Sequence, residues 1–112
     1  MSKGDYVGEF EQLVMLAVVL LGRTAYGMTI RRQIEERTSR DVSIGSIYAA
    51  LERLERKGLV HSWEGEATPE RGGRAKRYVE LTAAGKQALT ITDEAYMRMR
   101  QGATRKLAWG KS

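Results

Sequence analysis

The residues with the clearest chemical signature form the run RGGRAKR at positions 71–77, which contains four cations and no acid. Arginine and lysine side chains bind the phosphates of DNA, and arginine is favoured in the minor groove. The two adjacent glycines let a backbone turn and approach a ligand closely. A solvated loop with a plain hairpin turn is the alternative interpretation. The candidate contacts in this run are Arg71, Gly72, Gly73, Arg74, Lys76 and Arg77.

A second candidate lies in the stretch SIGSIYAALERLERKGLV, positions 43–60. Isoleucine and leucine recur at positions 44, 47, 51 and 54, a helical spacing that predicts one buried face. The other side begins with small residues, which would let the helix enter a DNA major groove about 12 Å wide. There Ser46 can bond a phosphate or a base edge, Tyr48 can donate to a phosphate, and Arg53 lies further back. The predicted contacts of this helix are Ser43, Gly45, Ser46, Tyr48, Ala49 and Arg53.

Both candidates need neighbouring elements that hold them in place. The sequence predicts a first helix at residues 9–21 and a short second helix at 28–38, and Ser43 and Thr82 are expected to cap the third and last helices. Gly58 is expected to end the third helix. Two β-prone runs flank the basic run and predict a hairpin with a long tip.

Two helices joined by a turn and followed by a hairpin are the order of a winged helix-turn-helix, whose second helix enters the major groove. We therefore expect a mainly α fold with a small β-hairpin (α+β). Residues 1–81 are expected to form a winged helix-turn-helix DNA-binding domain, and residues 82–112 a C-terminal dimerisation helix.

The first and last helices predict a homodimer. The first helix is apolar nearly all the way round over residues 13–21, more than a domain of this size covers easily. A central core helix in a monomer is the alternative. The last helix has a narrow apolar stripe that suits a seam against another helix. The predicted interface residues are Phe10, Leu13, Val14, Leu16, Ala17, Leu20, Leu89, Tyr96, Met99 and Ala103.

The composition limits the classes of partner and compartment. The formal net charge is +5 and the sequence pI is near 9.7, which favours an anionic partner such as DNA. No cysteine is present, so disulfides, thiol catalysis and thiolate metal sites are excluded. The longest apolar run is short of the roughly twenty residues that span a bilayer, so we expect a cytoplasmic protein without a membrane partner.

A catalytic interpretation finds little support. The single histidine, His61, lies in a predicted strand with no metal partner or nucleophile at a recognisable spacing. The acidic pairs at positions 35–36 and 93–94 are adjacent in sequence and therefore do not face one another on a helix. We expect no catalytic residues, no metal and no cofactor.

Three stretches together resemble the PadR family of bacterial transcriptional regulators over roughly residues 10–89: AYGMTIRRQIEE, SIGSIYAALERLERKGLV and GEATPERGGRAKRYVELTAAG. The resemblance implies a winged helix-turn-helix followed by a helical region that dimerises. It also implies the short-tailed branch, because the chain has space for one C-terminal helix. Recognition-helix contacts would lie at Tyr48 and around Ser46, and wing contacts at 71–77. Members of the family are mostly repressors released by a small molecule.

The resemblance also implies a candidate site for a small-molecule effector. Some short-tailed relatives bind flat aromatic compounds at the dimer interface, between aromatic side chains of the C-terminal helices. Tyr96 lies at about that position. Its ring either stacks a planar effector or packs in the seam between the two helices.

The function predicted from the sequence is that of a DNA-binding transcriptional regulator. We expect a homodimeric repressor of an inverted-repeat operator on double-stranded DNA, released by a small effector, for which an aromatic compound is one option. The alternative is a winged-helix protein-interaction module, in which the basic wing binds an acidic protein and affinity does not depend on duplex DNA.

Overall fold

A computed structural model describes residues 6–65 and 76–109. It is mainly helical with one two-stranded antiparallel hairpin, which confirms the predicted fold class. A 3-10 turn, Gly22–Thr24, separates the first two helices. The elements in chain order are α1 (Glu9–Leu21), α2 (Gly27–Thr38), α3 (Ile44–Arg56), β1 (Val60–Glu64), β2 (Arg77–Leu81) and α4 (Ala83–Trp109).

Local signals define both ends of α3. Ser43 is its N-cap, as predicted, and its Oγ accepts a hydrogen bond of 3.1 Å from the backbone N–H of Ser46. After the helix, Gly58 adopts a φ of 76°, a left-handed conformation that glycine tolerates best. The N–H of Leu59 then donates to the carbonyl of Leu54 at 2.9 Å, which completes a Schellman motif.

The core lies between the first three helices, the hairpin and the first half of α4. Its fully buried side chains include Val14 and Met15 of α1, Ile30 of α2, and Ile47 and Leu54 of α3. Folding removes the apolar surface of these side chains from water, and this burial is the main favourable contribution to the free energy of folding.

The buried face of α3 differs in part from the prediction. Ile47 and Leu54 are buried as expected, but the third buried residue is Ala50, whereas Ile44 and Leu51 are half-buried. Ala50 lies three residues after Ile47 and four before Leu54, so all three share one helix face.

The hairpin is tied to the helices at its base. Val60 pairs with Leu81 and Glu64 with Arg77 in an antiparallel register. The N–H of Val79 donates to the carbonyl of Ala25 at 2.9 Å, which joins β2 to the connection between α1 and α2. The two strands of the hairpin are therefore fixed to the helices.

The start of α4 is equally well fixed. Thr82 caps the helix, as predicted: its Oγ1 accepts a hydrogen bond of 3.0 Å from the N–H of Gly85 and donates one of 2.7 Å to the carbonyl of Gly58. A Cβ on Gly85 would overlap the carbonyl oxygen of Leu59, so the helix approaches the end of α3 more closely than any other residue allows.

The two halves of α4 differ. Leu89 and Thr92 of the first half are buried, and Thr92 accepts a hydrogen bond of 3.1 Å from the N–H of Val7, just before α1. Further along, Gln101 and Gly102 leave helical geometry, with a φ of 80° at Gly102. The predicted apolar stripe is therefore not one straight face, because Ala103 lies beyond this kink. In the described part of the chain, no helix is long and apolar enough to cross a membrane.

Candidate nucleic-acid interface

The small leading side of α3 is open to solvent. Ser43, Gly45, Ser46 and Ala49 are all exposed. The hydroxyl oxygens of Ser43 and Ser46 lie 2.8 Å apart, within hydrogen-bonding distance, so the cap also orients the side chain of Ser46. These sequence-predicted contacts therefore form an exposed surface of small side chains, with the polar groups of Ser43 and Ser46 at the start of the helix, as entry into a major groove requires.

Tyr48 extends this surface toward α2. Its side chain is 54% exposed, and its ring lies over Gly27, the first residue of α2. A Cβ at Gly27 would lie 2.7 Å from Cε1 of Tyr48 and 2.8 Å from its hydroxyl oxygen. The phenol therefore points its hydroxyl at the N-terminus of α2, where backbone N–H groups favour an anion such as phosphate. Gly27 thus leaves the space that the Tyr48 ring occupies, a role that the sequence did not reveal.

Arg53 has a partner that the sequence analysis missed. Its Nε donates to Oε2 of Glu11 at 3.1 Å, and Nζ of Lys57 donates to Oε1 of the same carboxylate at 3.1 Å. Arg53 is thus an anchor between α3 and α1, and a DNA contact would use only the exposed part of its guanidinium group. A signal was present, because Glu11 precedes Met15 and Val18 at helical spacing and so shares their buried face.

The environment of Glu11 stabilises its charge. Only 6% of the residue is exposed, and this burial raises the pKa of the carboxyl group. The hydrogen bonds and positive charges of Lys57 and Arg53 lower it by more, so the pKa lies below its ordinary value. Glu11 is therefore ionised at neutral pH and forms a persistent link to the end of α3.

Two of the predicted wing cations are described. Nζ of Lys76 lies 4.6 Å from the centre of the Tyr26 ring, a cation–π contact, and Nη2 of Arg77 lies 3.9 Å from Oε2 of Glu55. Both contacts hold the start of β2 close to the helices. The remaining predicted contacts, Arg71, Gly72, Gly73 and Arg74, lie outside the described residues.

The hairpin carries a row of aromatic rings that the sequence analysis did not predict. His61 stacks on Trp63 with ring centres 5.9 Å apart, and Trp63 stacks on Tyr78 at 6.1 Å. Tyr78 in turn meets Tyr26 edge to face at 5.6 Å. His61 thus belongs to an exposed strand face. Within residues 6–65 and 76–109, no cluster of three or more His, Asp or Glu side chains could hold a metal ion.

The predicted interface residues fall into three groups. Val14, Ala17 and Leu89 are buried in the core of the chain itself and offer almost no surface to a second copy, which corrects their assignment. Phe10 and Leu13 are half-buried. The exposed members are Leu16 and Leu20 of α1, and Tyr96, Met99 and Ala103 of α4.

The exposed residues of α1 form one apolar patch. Val19, which the prediction omitted, is 56% exposed and lies beside Leu20, which is 53% exposed. Together with Leu13 and Leu16 they define the α1 patch. Ala17 is buried at the floor of a groove of about 170 Å³ between α1 and α2, which Leu13, Leu16 and Leu20 also line.

Tyr96 lies beside a small depression between α4 and the segment before α1. The volume of this depression is about 190 Å³, and its lining includes Tyr6, Thr92 and Met99. Small-molecule sites usually have volumes of roughly 300–1,000 Å³. One copy of the chain therefore encloses too little space at Tyr96 for a drug-sized effector, and a site there needs a further wall.

Comparison with known proteins points to one family. A model of the "Transcriptional regulator PadR-like family" matches residues 15–91, which include all the candidate DNA contacts. The crystal structure of a PadR-like regulator from Bacillus cereus superimposes with a TM-score of 0.73, at 18% identity over 88% of this chain and 90% of that one. A PadR family regulator from Clostridium difficile gives a TM-score of 0.71, at 24% identity over 88% and 98%. An uncharacterised protein of Lysinibacillus sphaericus is 28% identical over 93 residues, 80% of this chain and 81% of its own length.

Proposed function

Because the chain belongs to the PadR-like family of transcriptional regulators, which is not an enzyme family, we propose that it is a DNA-binding repressor. In this proposal it acts in the bacterial cytoplasm, as a homodimer on an inverted-repeat operator. The observation that carries the proposal is the exposed, small-residue side of α3, held rigidly by the Ser43 cap at one end and by the Glu11 ion pairs at the other.

The division of contacts follows from the chemistry of each element. Ser46 and its small neighbours at the start of α3 would enter the major groove, where base edges distinguish all four base pairs. Tyr48 would hold a phosphate at the N-terminus of α2. The wing cations at positions 71–77 would bind the backbone or the minor groove, which adds affinity with little regard to sequence.

The dimer would form through α1 and residues 82–112. The α1 patch leaves Leu16, Val19 and Leu20 exposed side by side, and Tyr96 and Met99 add exposed apolar surface on α4. Large exposed apolar patches mark interaction sites. A second copy is the partner that fits, since a regulator with twofold symmetry reads two half-sites about 34–36 Å apart, or a multiple of that distance.

Release by a small effector is the last part of the proposal. Members of the family are mostly repressors released by small molecules, and the depression at Tyr96 would become a full site if the partner's α4 supplied its missing wall. Whether Tyr96 stacks a planar ligand or packs in the seam is decided by comparing Tyr96→Ala with the unmodified protein. Weaker effector affinity with intact operator affinity supports the first role, and unchanged effector affinity supports the second.

The decisive experiment is fluorescence anisotropy with the purified full chain. One labelled duplex carries the DNA upstream of the protein's own gene, and a duplex of equal length and random sequence is the control. We expect the upstream duplex to bind at least about a thousandfold more tightly at physiological salt. Equal, weak binding of both duplexes would contradict the proposal and favour the alternative of a protein-interaction module with an acidic partner.

A further inference from the structure

A narrow groove separates α3 from the hairpin. Its volume is about 230 Å³, and it is lined on one side by residues of α3 and on the other by residues of both strands. Two of the proposed DNA contacts, Tyr48 and Arg77, lie on opposite sides of it. The position of one wall relative to the other therefore sets the distance between a contact on the helix and a contact on the hairpin.

One face of the hairpin forms the second wall of the groove. Val60 and Ser62 share this face of β1, because residues two apart in a strand point to the same side. They pair with Leu81 and Val79 of β2, so these two residues share the face as well. Arg77 lies two residues before Val79 and belongs to it too. The face toward α3 therefore carries a hydroxyl group and a guanidinium group beside its apolar side chains.

Glu55 of α3 contacts both of these polar groups. The hydroxyl of Ser62 donates to the Glu55 carboxylate, with its oxygen 3.0 Å from Oε1 and 3.1 Å from Oε2. Nη2 of Arg77 lies 3.9 Å from Oε2 of the same carboxylate. A single side chain of the helix thus links α3 to both strands of the hairpin across the groove.

Local structure does not explain an acid at position 55. The last turn of α3 also contains Arg53 and Arg56, and cations are favoured there because the C-terminal end of a helix carries a partial negative charge. The pair of Glu55 with Arg77 adds little stability, since the two side chains are 45% and 58% exposed. The main effect of this acid is therefore on the geometry between α3 and the hairpin.

We propose that Glu55 is a positioning residue for DNA recognition. It holds the hairpin, and with it Arg77, at the distance from α3 at which helix and hairpin together fit one operator half-site. Phosphate contacts set the register and orientation of a protein on the duplex, and base contacts then specify the sequence. Glu55 acts on specificity through Ser62 and Arg77. This role rests on the proposed function, because it requires that α3 and the hairpin bind DNA.

Fluorescence anisotropy with the full chain tests the role, with the upstream and the random duplex as probes. Glu55→Ala should lower the ratio of operator to random affinity about tenfold. Random DNA needs only phosphate contacts, whereas the operator needs phosphate and base contacts in one arrangement.

Glu52→Ala is the matched control. Glu52 lines the same groove one turn earlier in α3, and its carboxylate lies 4.0 Å from Arg56 of the same helix. Both variants remove one negative charge beside the DNA, which raises the affinity for both duplexes and cancels in their ratio. Glu52→Ala should therefore keep the ratio of the unmodified protein.

Ser62→Ala isolates the hydrogen bonds, since it changes no charge. It should lower the affinity ratio several-fold, and adding it to Glu55→Ala should lower the ratio no further. Hydrogen exchange in the absence of DNA gives an independent measurement. Backbone amides of the hairpin should exchange several-fold faster in Glu55→Ala than in Glu52→Ala, because the hairpin opens more easily without its link to α3. Circular dichroism verifies that each variant is folded.

The role is overturned if Glu55→Ala keeps the affinity ratio of the unmodified protein, or if Glu52→Ala lowers the ratio as much. Additive effects of Glu55→Ala and Ser62→Ala would also contradict it. If the unmodified protein bound both duplexes equally, the proposed function would fail. Faster hydrogen exchange in Glu55→Ala alone would then still support Glu55 as the link between α3 and the hairpin, so the two failures are distinguishable.

Discussion

Glu11 of α1 and Arg53 of α3 form an ion pair across 42 positions of sequence, with 3.1 Å between Oε2 and Nε. Lys57 binds the other oxygen of the same carboxylate. The carboxylate is buried, whereas both cations are partly exposed to solvent. The two ion pairs therefore join the end of α3 to the buried face of α1. A buried residue of α1 therefore helps to fix the orientation of the helix that is proposed to read DNA.

Glu11→Gln should lower the free energy of unfolding at pH 7 by about 1 kcal/mol, because it leaves both cations without their buried carboxylate. The pKa of Glu11 is lowered in the folded state, so its contribution is present above the unfolded pKa of about 4.3 and is lost as pH falls through the folded pKa. The difference between variant and unmodified protein should thus shrink below about pH 4. Urea unfolding at several pH values measures it. Glu36→Gln, an exposed acid on α2, is the control and should change little at either pH.

Arg74→Ala should weaken operator and random DNA alike. Phosphate binding releases counterions whatever the bases are, so the slope of log affinity against log salt should flatten by about 0.9 for each phosphate that is no longer bound, or about two units per dimer. Anisotropy titrations over a series of salt concentrations check this result. If the variant failed to bind the operator but still bound random DNA, the wing would be reading bases and its assigned role would be wrong.

Ser46→Ala should show the opposite behaviour. The difference in binding free energy between operator and random DNA should decrease by roughly 1 kcal/mol or more per half-site, because one base contact is removed. The slope of log affinity against log salt should stay nearly unchanged. The same titrations serve as the measurement. An equal decrease in affinity for both duplexes would place Ser46 on a phosphate instead.

Gly27→Ala should leave the protein folded but weaken operator binding several-fold. The three atoms nearest to the added methyl group all belong to the far end of the Tyr48 ring, which can swing away at little cost and takes its hydroxyl with it. A double-mutant cycle is the test. In a Tyr48→Ala background the substitution at Gly27 should have almost no effect, because the group that it displaces is gone. Additive effects would mean that the two residues act independently.

Gly85→Ala should destabilise the fold by about 3 kcal/mol, since the added Cβ meets the backbone carbonyl of Leu59, which cannot rotate away. Chemical denaturation measures the change. Ala84→Ser, on the exposed neighbouring position, should shift the stability by less than about 0.5 kcal/mol. Wild-type stability of Gly85→Ala would show that α4 can begin further from Leu59.

Leu20→Asp should convert the proposed dimer into a monomer, because it places a charge in the α1 patch. Sedimentation at micromolar concentration should give 12.6 kDa for the variant and twice that mass for the unmodified chain. Met28→Asp, at an exposed methionine of α2 outside the patch, should remain dimeric. A mass of 12.6 kDa for the unmodified chain would contradict the dimer.

Local features of this protein could be predicted from the sequence. Ser43 and Thr82 cap their helices, and Gly58 ends α3, because each motif depends on hydrogen bonds among residues a few positions apart. The order of the helices and the hairpin, which can be read along the chain, predicted the winged helix. Even the kink in α4 had a local signal, since Gly102 interrupts an otherwise helical pattern.

The tertiary structure alone decided which residues share a site. The apolar pattern of α1 indicated that Val14 is covered, but it could not distinguish a residue buried by its own chain from one exposed for contact with a partner. Likewise, the contact of Tyr48 with Gly27 and the pairing of Arg53 with Glu11 join elements far apart in sequence. Such contacts depend on the relative positions of whole helices, which are set by the packing of the entire core. A spacing pattern reports only the face of a single helix, and so it could not reveal them.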